Sequence, residues 1–207
     1  MELSDLSIEG QGRHPLPTDE AFAAAAGRAG IGDDVFVVAY DHGGSGGAAR
    51  LWWLLRHYGH EDVAVLRGGF ESWVGPVRSG EEEIEPCVFV PRPREGDVMH
   101  ADELLARLGE PGLVVVDARS SERYRGEVEP IDPVAGRIPS AVNWFHAEAG
   151  HVPQEIAEAE EIVVYCGSGI TACVDLLLLA QAGRPDAKLY PGSWSDWCAR
   201  GLPSETD

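Results

Sequence analysis

The sequence is short of basic residues and of long apolar runs, and each shortage excludes a class of protein. Its 207 residues include 16 lysines and arginines against 35 aspartates and glutamates, so the formal net charge is −19. Nucleic-acid phosphates are bound by a basic surface, which argues against nucleic acid as a general partner. No apolar run approaches the ~20 residues that a membrane-spanning helix needs. We therefore expect neither nucleic acid nor a membrane among the partners.

Cysteines are also few and widely spaced along the chain. Cys87, Cys166, Cys173 and Cys198 form no Cys-x-x-Cys pair and show no metal-ligand spacing. A chain of this length can build a core without disulfides, so we expect reduced thiols and neither a metal nor another cofactor. Residues 1–5 are acidic and lack the basic and apolar regions of a signal peptide. These features predict a cytoplasmic protein.

The strongest chemical signal is a cysteine that lies between an apolar run and a glycine-rich turn. Residues 162–165 are apolar, Cys166 follows, and the pattern of an apolar helix begins after Gly167 and Gly169. This order predicts a buried strand that delivers Cys166 to a tight loop at a helix N-terminus. Inward N–H groups and the helix dipole favour an anion there, so a thiolate could act as a nucleophile. The alternative for this stretch alone is a buried structural cysteine.

The order of elements repeats along the chain. Strands alternate with helices, which predicts an α/β fold with a mainly parallel sheet. Residues 37–41 resemble 163–166, and residues 68–73 resemble 191–197, with nearly equal spacing between the two segments of each copy. Order and spacing together indicate an internal duplication. Because Asp41 occupies the position of Cys166, the first copy is predicted to lack thiol chemistry.

A change of composition between the two copies predicts the domain boundaries. We predict an inactive domain over 1–78, an acidic and proline-bearing linker over 79–96, and a catalytic domain over 97–207. Asp117 precedes Cys166 by 49 positions, and its counterpart in the first copy would fall before residue 1. We therefore expect the first domain to lack its opening strand and loop. Either the chain starts late, or another element or another chain covers the edge, as in a homodimer.

Several motifs together resemble one known family. They are the loop at 166–172, Asp117-Ala118-Arg119, and the segments 123–126, 136–143 and 192–197, with 13–17 and 49–53 in the first copy. In these motifs the chain is similar to the tandem-domain rhodaneses, which are sulfurtransferases. The resemblance implies an α/β fold with two tandem rhodanese-like domains, each a mainly parallel sheet flanked by helices.

The resemblance also implies a two-step mechanism. Cys166 would take the outer sulfur of a small anionic donor as a persulfide, and a thiol or cyanide would then accept that sulfur. Arg123 matches the arginine that would hold the carboxylate or sulfonate of the donor. The resemblance makes the backbone of the loop part of the substrate site, through Gly167, Gly169, Ile170 and Thr171.

The identity of the donor stays open between 3-mercaptopyruvate and thiosulfate. The loop sequence Cys-Gly-Ser-Gly-Ile-Thr resembles mercaptopyruvate sulfurtransferases, in which the loop serine acts with a histidine. Ser168 and His14 would be these two residues here. Animal mercaptopyruvate enzymes carry a second arginine after the one matched by Arg123, whereas Ile131 lies near that place here. This departure leaves the choice of donor unsettled.

Two other functions are considered. Some phosphatases share this fold and hold a cysteine in an anion-binding loop, but they need an arginine six positions after it to clamp phosphate. That position is Ala172, so phosphatase activity is excluded. A non-catalytic rhodanese-like binding or regulatory module is the remaining alternative, because an incomplete first domain could cost activity.

Overall fold

A computed structural model describes residues 12–43, 46–80, 82–148 and 150–207. The chain divides into two compact units. Among described residues, the first unit comprises Leu16–Arg94, and the second comprises 12–15 with Glu95–Asp207. Within these ranges, no helix is long and apolar enough to cross a membrane.

The first unit contains a two-stranded parallel sheet and two main helices. Its helix α1 begins after Thr18, whose Oγ accepts a hydrogen bond from the backbone N–H of Ala21 at 3.2 Å, as expected of an N-cap. The Phe22 ring of α1 stacks on Tyr58 with centroids 4.2 Å apart. The elements are α1 (Asp19–Arg28), β1 (Val37–Ala39), α2 (Gly47–His57), β2 (Val63–Val65) and a 3-10 turn (Phe70–Ser72).

The second unit contains a four-stranded parallel sheet with helices between its strands. Its elements are α3 (Ala101–Arg107), β3 (Leu113–Asp117), α4 (Ser121–Arg125), β4 (Val142–Asn143), α5 (Gln154–Ala157), β5 (Glu161–Tyr165), α6 (Ala172–Gln181), β6 (Lys188–Leu189) and α7 (Ser193–Ala199). The strand order is β4-β3-β5-β6, and Asp117 pairs with Tyr165 where β3 and β5 end. The predicted α/β class with parallel sheets is confirmed. Cys166 directly follows β5. It therefore lies at the carboxyl end of the parallel strands, which is where open α/β sheets bind ligands.

The internal duplication is visible in corresponding hydrogen bonds. In the first unit, the N–H of Phe70 donates to the carbonyl of Asp41 at 2.8 Å. In the second unit, the N–H of Trp194 donates to the carbonyl of Cys166 at 3.0 Å. Because the same bond joins the same two loops in both units, Asp41 occupies the structural position of Cys166.

One sequence prediction for the first unit is wrong. The apolar segment 35–40 predicts a buried strand, yet Val38 is 49% exposed and Tyr40 is 59% exposed. Phe70 and Trp73 are also exposed, at 40% and 50%. We call these four side chains the uncovered face. Their counterparts in the second unit are all fully buried: Val163, Tyr165, Trp194 and Trp197.

The reason for this difference is the set of elements that covers the sheet of the second unit. There, Leu104 of α3, Val115 of β3 and the loop residue Ile138 pack in one apolar cluster with the four buried counterparts. In the described part of the first unit, no strand or helix corresponds to β3 and α3. An apolar strand is buried only when another layer packs on it. β1 therefore has the apolar sequence of a buried strand but stays exposed on this face.

The segment predicted as a linker, 79–96, makes backbone contacts with the first unit. The N–H of Cys87 donates to the carbonyl of Gly27 at 2.9 Å. The N–H of Arg94 donates to the carbonyl of His57 at 2.7 Å. Residues around 87–94 are therefore held against the unit that precedes them, and the function of this segment as a linker stays a prediction.

A buried ion pair lies where β3 ends in the second unit. The Asp117 carboxylate accepts hydrogen bonds from Arg119 Nη2 and from the Tyr165 hydroxyl, both at 2.6 Å. Arg119 Nη2 also donates to the carbonyl of Gly136 at 2.7 Å. Both charged side chains are almost fully buried. Such a pair is costly to break, because the remaining charge stays buried without its main partner.

Replacing Asp117 with alanine should therefore destabilise the second unit strongly. We expect Asp117→Ala to lower the free energy of unfolding by about 3–5 kcal/mol, as measured by denaturant titration. Glu127→Ala is the matched control, since Glu127 pairs with Arg125 on the surface. Its unfolding curve should overlay that of the parent, because exposed pairs contribute little. If both variants lost the same free energy of unfolding, the buried Asp117–Arg119 pair would contribute no more to stability than a surface pair.

Candidate active site

The Cys166 sulfur lies at the mouth of α6. Cys166 comes directly after β5, is 1% exposed, and accepts a hydrogen bond at Sγ from the N–H of Gly169 at 3.1 Å. Thr171 is the N-cap of α6, which runs for ten residues away from the loop. The N–H group and the helix dipole both stabilise negative charge on the sulfur. This is the environment of a thiolate nucleophile.

The two glycines of the loop serve different purposes. Gly169 has φ of +81°, and a Cβ there would lie 2.4 Å from the carbonyl oxygen of Pro191, so only glycine fits. At Gly167, a Cβ would lie 2.9 Å from Arg13 Nη2 and 3.4 Å from Arg123 Nη1. Gly169 therefore permits the turn, whereas Gly167 makes room for two guanidinium groups beside Cys166.

The start of α7 holds the loop by three hydrogen bonds. Ser193 Oγ accepts from the N–H of Cys166 at 3.1 Å. The N–H of Trp194 donates to the carbonyl of Cys166, and the N–H of Ser195 donates to the carbonyl of Gly167, both at 3.0 Å. We call residues 193–195 the anchoring turn. Ser193 has φ of +54°, in the left-handed region, which costs free energy and turns its hydroxyl toward the loop.

The remaining residues of the loop open the helix. The carbonyls of Ile170 and Thr171 accept hydrogen bonds from the N–H groups of Cys173 and Val174, both at 3.0 Å. Ser168 is half-buried. Its hydroxyl makes no hydrogen bond with any residue in the described ranges. A hydroxyl in this position can bind a ligand at the loop.

Two arginines and two acids lie beside the loop. Arg123 of α4 donates from Nη2 to Glu129 at 2.7 Å and to Asp132 at 3.3 Å. The Arg13 guanidinium contacts Asp132 as well, and its backbone N–H donates to Ser195 Oγ at 3.1 Å. Burial alone would raise the pKa of Glu129, but the N–H of Asp132 and the Arg123 guanidinium lower it, so Glu129 is ionised.

The structure brings most of the predicted site residues together. Cys166 and the loop glycines lie next to Arg123, as the Gly167 geometry shows. His14 is exposed and follows Arg13 in the segment 12–15, which belongs to the second unit. The catalytic and binding roles assigned to these residues from the sequence stay predictions.

A buried acid below the loop was not predicted. Asp175 of α6 is fully buried, and neither of its carboxylate oxygens has a hydrogen-bond partner among the described residues. Burial, together with smaller contributions from the charges of Cys166 and Asp117, raises the pKa of Asp175 from 3.8 to about 9. At neutral pH Asp175 is therefore an uncharged acid, and it places no negative charge of its own near Cys166.

Sequence reasoning also missed Arg13 and Ser193 as site residues. Arg13 belongs to the motif at 13–17, in which the family resemblance assigns a role to His14 and none to its neighbour. Ser193 belongs to the motif at 192–197, but its positive φ is set by contacts that no local pattern encodes. Asp175 could have been noticed as the one charged residue in the apolar pattern 172–180.

Comparison with known proteins agrees with this geometry. A family profile described as "Rhodanese-like domain" matches residues 6–75 and 100–200. "Probable 3-mercaptopyruvate sulfurtransferase" of Pseudomonas aeruginosa is 41% identical over 206 residues, which are 90% of this chain and 72% of that protein. Thiosulfate sulfurtransferase of Gallus gallus is 33% identical over 208 residues, which are 91% of this chain and 72% of that protein.

A solved structure gives the same result. The crystal structure of SseA from Escherichia coli, described with a "Rhodanese" fold and the mechanism of 3-mercaptopyruvate sulfotransferases, matches with a TM-score of 0.80 and 31% identity. The match covers 94% of this chain and 80% of that one. The chain belongs to the rhodanese family, in which it forms two rhodanese-like units. It is a sulfurtransferase, a transferase of the EC 2.8.1 class.

The raised pKa of Asp175 predicts that the stability of the protein depends on pH. Unfolded Asp175 ionises near pH 4, whereas the folded group holds its proton to about pH 9. Between these values the native state binds one more proton, so stability falls as pH rises, by about 1.4 kcal/mol per pH unit. Asp175→Asn should remove this slope between about pH 5 and pH 8, as measured by denaturant titration at each pH.

The control for this experiment is Asp102→Asn, because the Asp102 side chain is exposed. It should keep the slope of the parent protein. Parallel pH dependence in the parent and in Asp175→Asn would show that Asp175 is already ionised in the native state.

Proposed function

We propose that Cys166 carries the transferred sulfur as a persulfide. The observation that supports this most directly is the hydrogen bond from the N–H of Gly169 to Cys166 Sγ at the start of α6. The same N–H group can stabilise the thiolate before transfer and negative charge on the persulfide after it. Burial of the sulfur keeps bulk water and dissolved oxidants from the intermediate.

In the first half-reaction the Cys166 thiolate attacks the outer sulfur of the donor. A sulfur–sulfur bond forms, and the bond between that sulfur and the rest of the donor breaks. With thiosulfate, sulfite leaves with the electron pair. With 3-mercaptopyruvate, the carbon–sulfur bond breaks, and the enolate of pyruvate takes up the proton that the donor thiol releases. The enzyme holds a persulfide anion in either case.

In the second half-reaction an acceptor removes the sulfur. A thiolate or cyanide attacks the terminal sulfur, and the bond to Cys166 breaks with its electron pair on Sγ. The products are a new persulfide or thiocyanate and the regenerated thiolate. The backbone of Gly167, Gly169, Ile170 and Thr171 forms the loop around this sulfur, and this is the substrate-binding role that we propose for it.

Arg123 is proposed to bind the anionic group of the donor. Its Nη1 lies 3.4 Å from the position of a Cβ on Gly167, next to the nucleophile. Glu129 and Asp132 hold the guanidinium in this place. A carboxylate or sulfonate bound by Arg123 would direct the adjacent sulfur of the donor toward Cys166.

For 3-mercaptopyruvate, we propose that Ser168 and His14 move the proton. Ser168 lies in the loop two residues after the nucleophile, and a histidine can exchange protons near neutral pH. Thiosulfate needs no such step, because sulfite leaves without a proton. Relatives of this chain are named for both donors. Both therefore remain in the proposal, with 3-mercaptopyruvate favoured by the loop sequence.

We also propose a function for each part of the chain. Residues 97–207 would form the catalytic domain, 79–96 a linker, and 1–78 an inactive domain. In that domain, Asp41 puts a fixed carboxylate where the thiol would be. None of the four cysteines, all of which lie within the described ranges, is part of a disulfide. A cysteine nucleophile must stay reduced, and this supports a cytoplasmic location.

A second copy of the chain is the proposed occupant of the uncovered face. This face lines a cleft of about 480 Å³ together with Leu66 and Val77, and β1 has no partner on its other edge among described residues. Two copies that each carry a net charge of −19 repel, and they approach with least repulsion through an apolar patch. A two-fold axis would place the same patch on both sides.

The persulfide makes the central prediction. Protein incubated with thiosulfate or 3-mercaptopyruvate and then freed of donor should gain the mass of one sulfur atom on Cys166, as measured by mass spectrometry. Cys166→Ala should gain none and should lose all turnover with cyanide. Cys87→Ala is the matched control, because Cys87 is an exposed thiol elsewhere. If neither donor loads the parent protein, the non-catalytic binding module replaces this proposal.

The proposed dimer is tested by its mass in solution. We expect the parent protein to sediment as a dimer at tens of micromolar, and Val38→Glu to sediment as a monomer, because a charge in an apolar contact is costly. Val128→Glu changes an equally exposed valine of the second unit and should remain dimeric. A monomeric parent protein, or a dimeric Val38→Glu, would exclude the uncovered face as the contact between copies.

A further inference from the structure

A second guanidinium group lies beside the nucleophile, closer to the loop than that of Arg123. Arg13 Nη2 is 2.9 Å from the position of a Cβ on Gly167, and Arg123 Nη1 is 3.4 Å from the same point. Both groups therefore contact the residue that follows Cys166. We propose that Arg13 is a second donor-binding residue, which together with Arg123 clamps the anionic group of the sulfur donor over Gly167. The inference rests on the proposed function and adds a second residue to its donor-binding site.

Arg13 is both held in place and open to a ligand. Its backbone N–H donates to Ser195 Oγ at 3.1 Å, so the anchoring turn that holds the loop also holds Arg13. Its side chain is 32% exposed, compared with 17% for Arg123. A donor arriving from solvent can thus reach Arg13 first and then Arg123, which lies deeper.

The acids around the two arginines keep the site neutral without a donor. Asp132 contacts both guanidinium groups, and Glu129 contacts Arg123 at 2.7 Å and Arg119 at 3.3 Å. Each arginine has more donors than one carboxylate can use, since a guanidinium carries five N–H groups. A donor anion can therefore be bound by the remaining N–H groups, while the acids hold the guanidinium planes in position.

This geometry limits the donors that the site accepts. The clamp lies at Gly167, one residue from Cys166, so the charged group of the donor must lie within a few bonds of the sulfur that is transferred. Two planar forks fit a trigonal or tetrahedral oxyanion better than a neutral group does. We therefore expect small carboxylates or sulfonates with an adjacent sulfane sulfur or thiol, and little activity with uncharged sulfur donors. A protein with net charge −19 needs such local cations to hold an anion at all.

The test compares the kinetics of variants that lose one positive charge. Arg13→Met keeps an unbranched, flexible side chain but removes the guanidinium group. It should raise the KM for thiosulfate and for 3-mercaptopyruvate roughly tenfold or more, with kcat within about twofold of the parent, since charge-assisted hydrogen bonds to the donor are lost. Arg13→Lys should recover part of the loss. Arg125→Met is the matched control, because Arg125 pairs with Glu127 at the surface, and its KM should not change.

A second variant tests the geometry without removing a charge. Gly167→Ala places a methyl group at the point that both guanidinium groups approach, and the long arginine side chains can move aside. It should raise the KM for both donors while Cys166 still forms its persulfide at saturating donor. Unchanged KM values in Arg13→Met, in a protein that loads Cys166, would overturn the role of Arg13 alone. A parent protein that loads no sulfur from either donor would overturn the proposed function as well.

Discussion

The hydrogen bonds between the anchoring turn and the active loop are the constraint on which the site depends. Ser193 Oγ accepts a hydrogen bond from the N–H of Cys166, and the N–H of Trp194 donates to the carbonyl of Cys166. With its backbone fixed there, the sulfur faces the N–H of Gly169 and the start of α6. The same turn holds Arg13 through Ser195. One short segment after the last strand of the sheet therefore sets the position of the Cys166 sulfur and of a cation beside it.

The corresponding loops of the two units hold different side chains, Asp41 in the first unit and Cys166 in the second. In the first unit, the Asp41 carboxylate accepts hydrogen bonds from the N–H groups of Gly43 at 2.9 Å and Ala48 at 3.1 Å. In the second unit, Cys166 Sγ accepts from Gly169. Each loop therefore stabilises an anion through backbone N–H groups. A carboxylate and a sulfur can therefore occupy the same position of a duplicated loop without a change in its fold.

Much of the fold could be predicted because its signals are local. The apolar run before Cys166, the glycines after it and the alanine-rich pattern of α1 each reflect the conformation of the segment in which they occur. The exposure of β1 could not be predicted this way. Its pattern is that of a buried strand, and burial depends on whether a strand and a helix from elsewhere pack on it. Residues such as Val38 and Tyr40 carry no information about that cover.

Residue identity and spacing are enough to indicate the family motifs, the position of Cys166 at the end of a strand, and the aspartate, Asp41, at the corresponding position of the first copy. Tertiary structure decided which charges surround the sulfur. Arg13 and Arg123 are 110 positions apart along the chain, and only the packing of the segment 12–15 on the second unit brings both to Gly167. The neutral state of Asp175 has the same origin, since the pKa of a carboxyl group responds to burial and neighbouring charge, and both are properties of the folded chain.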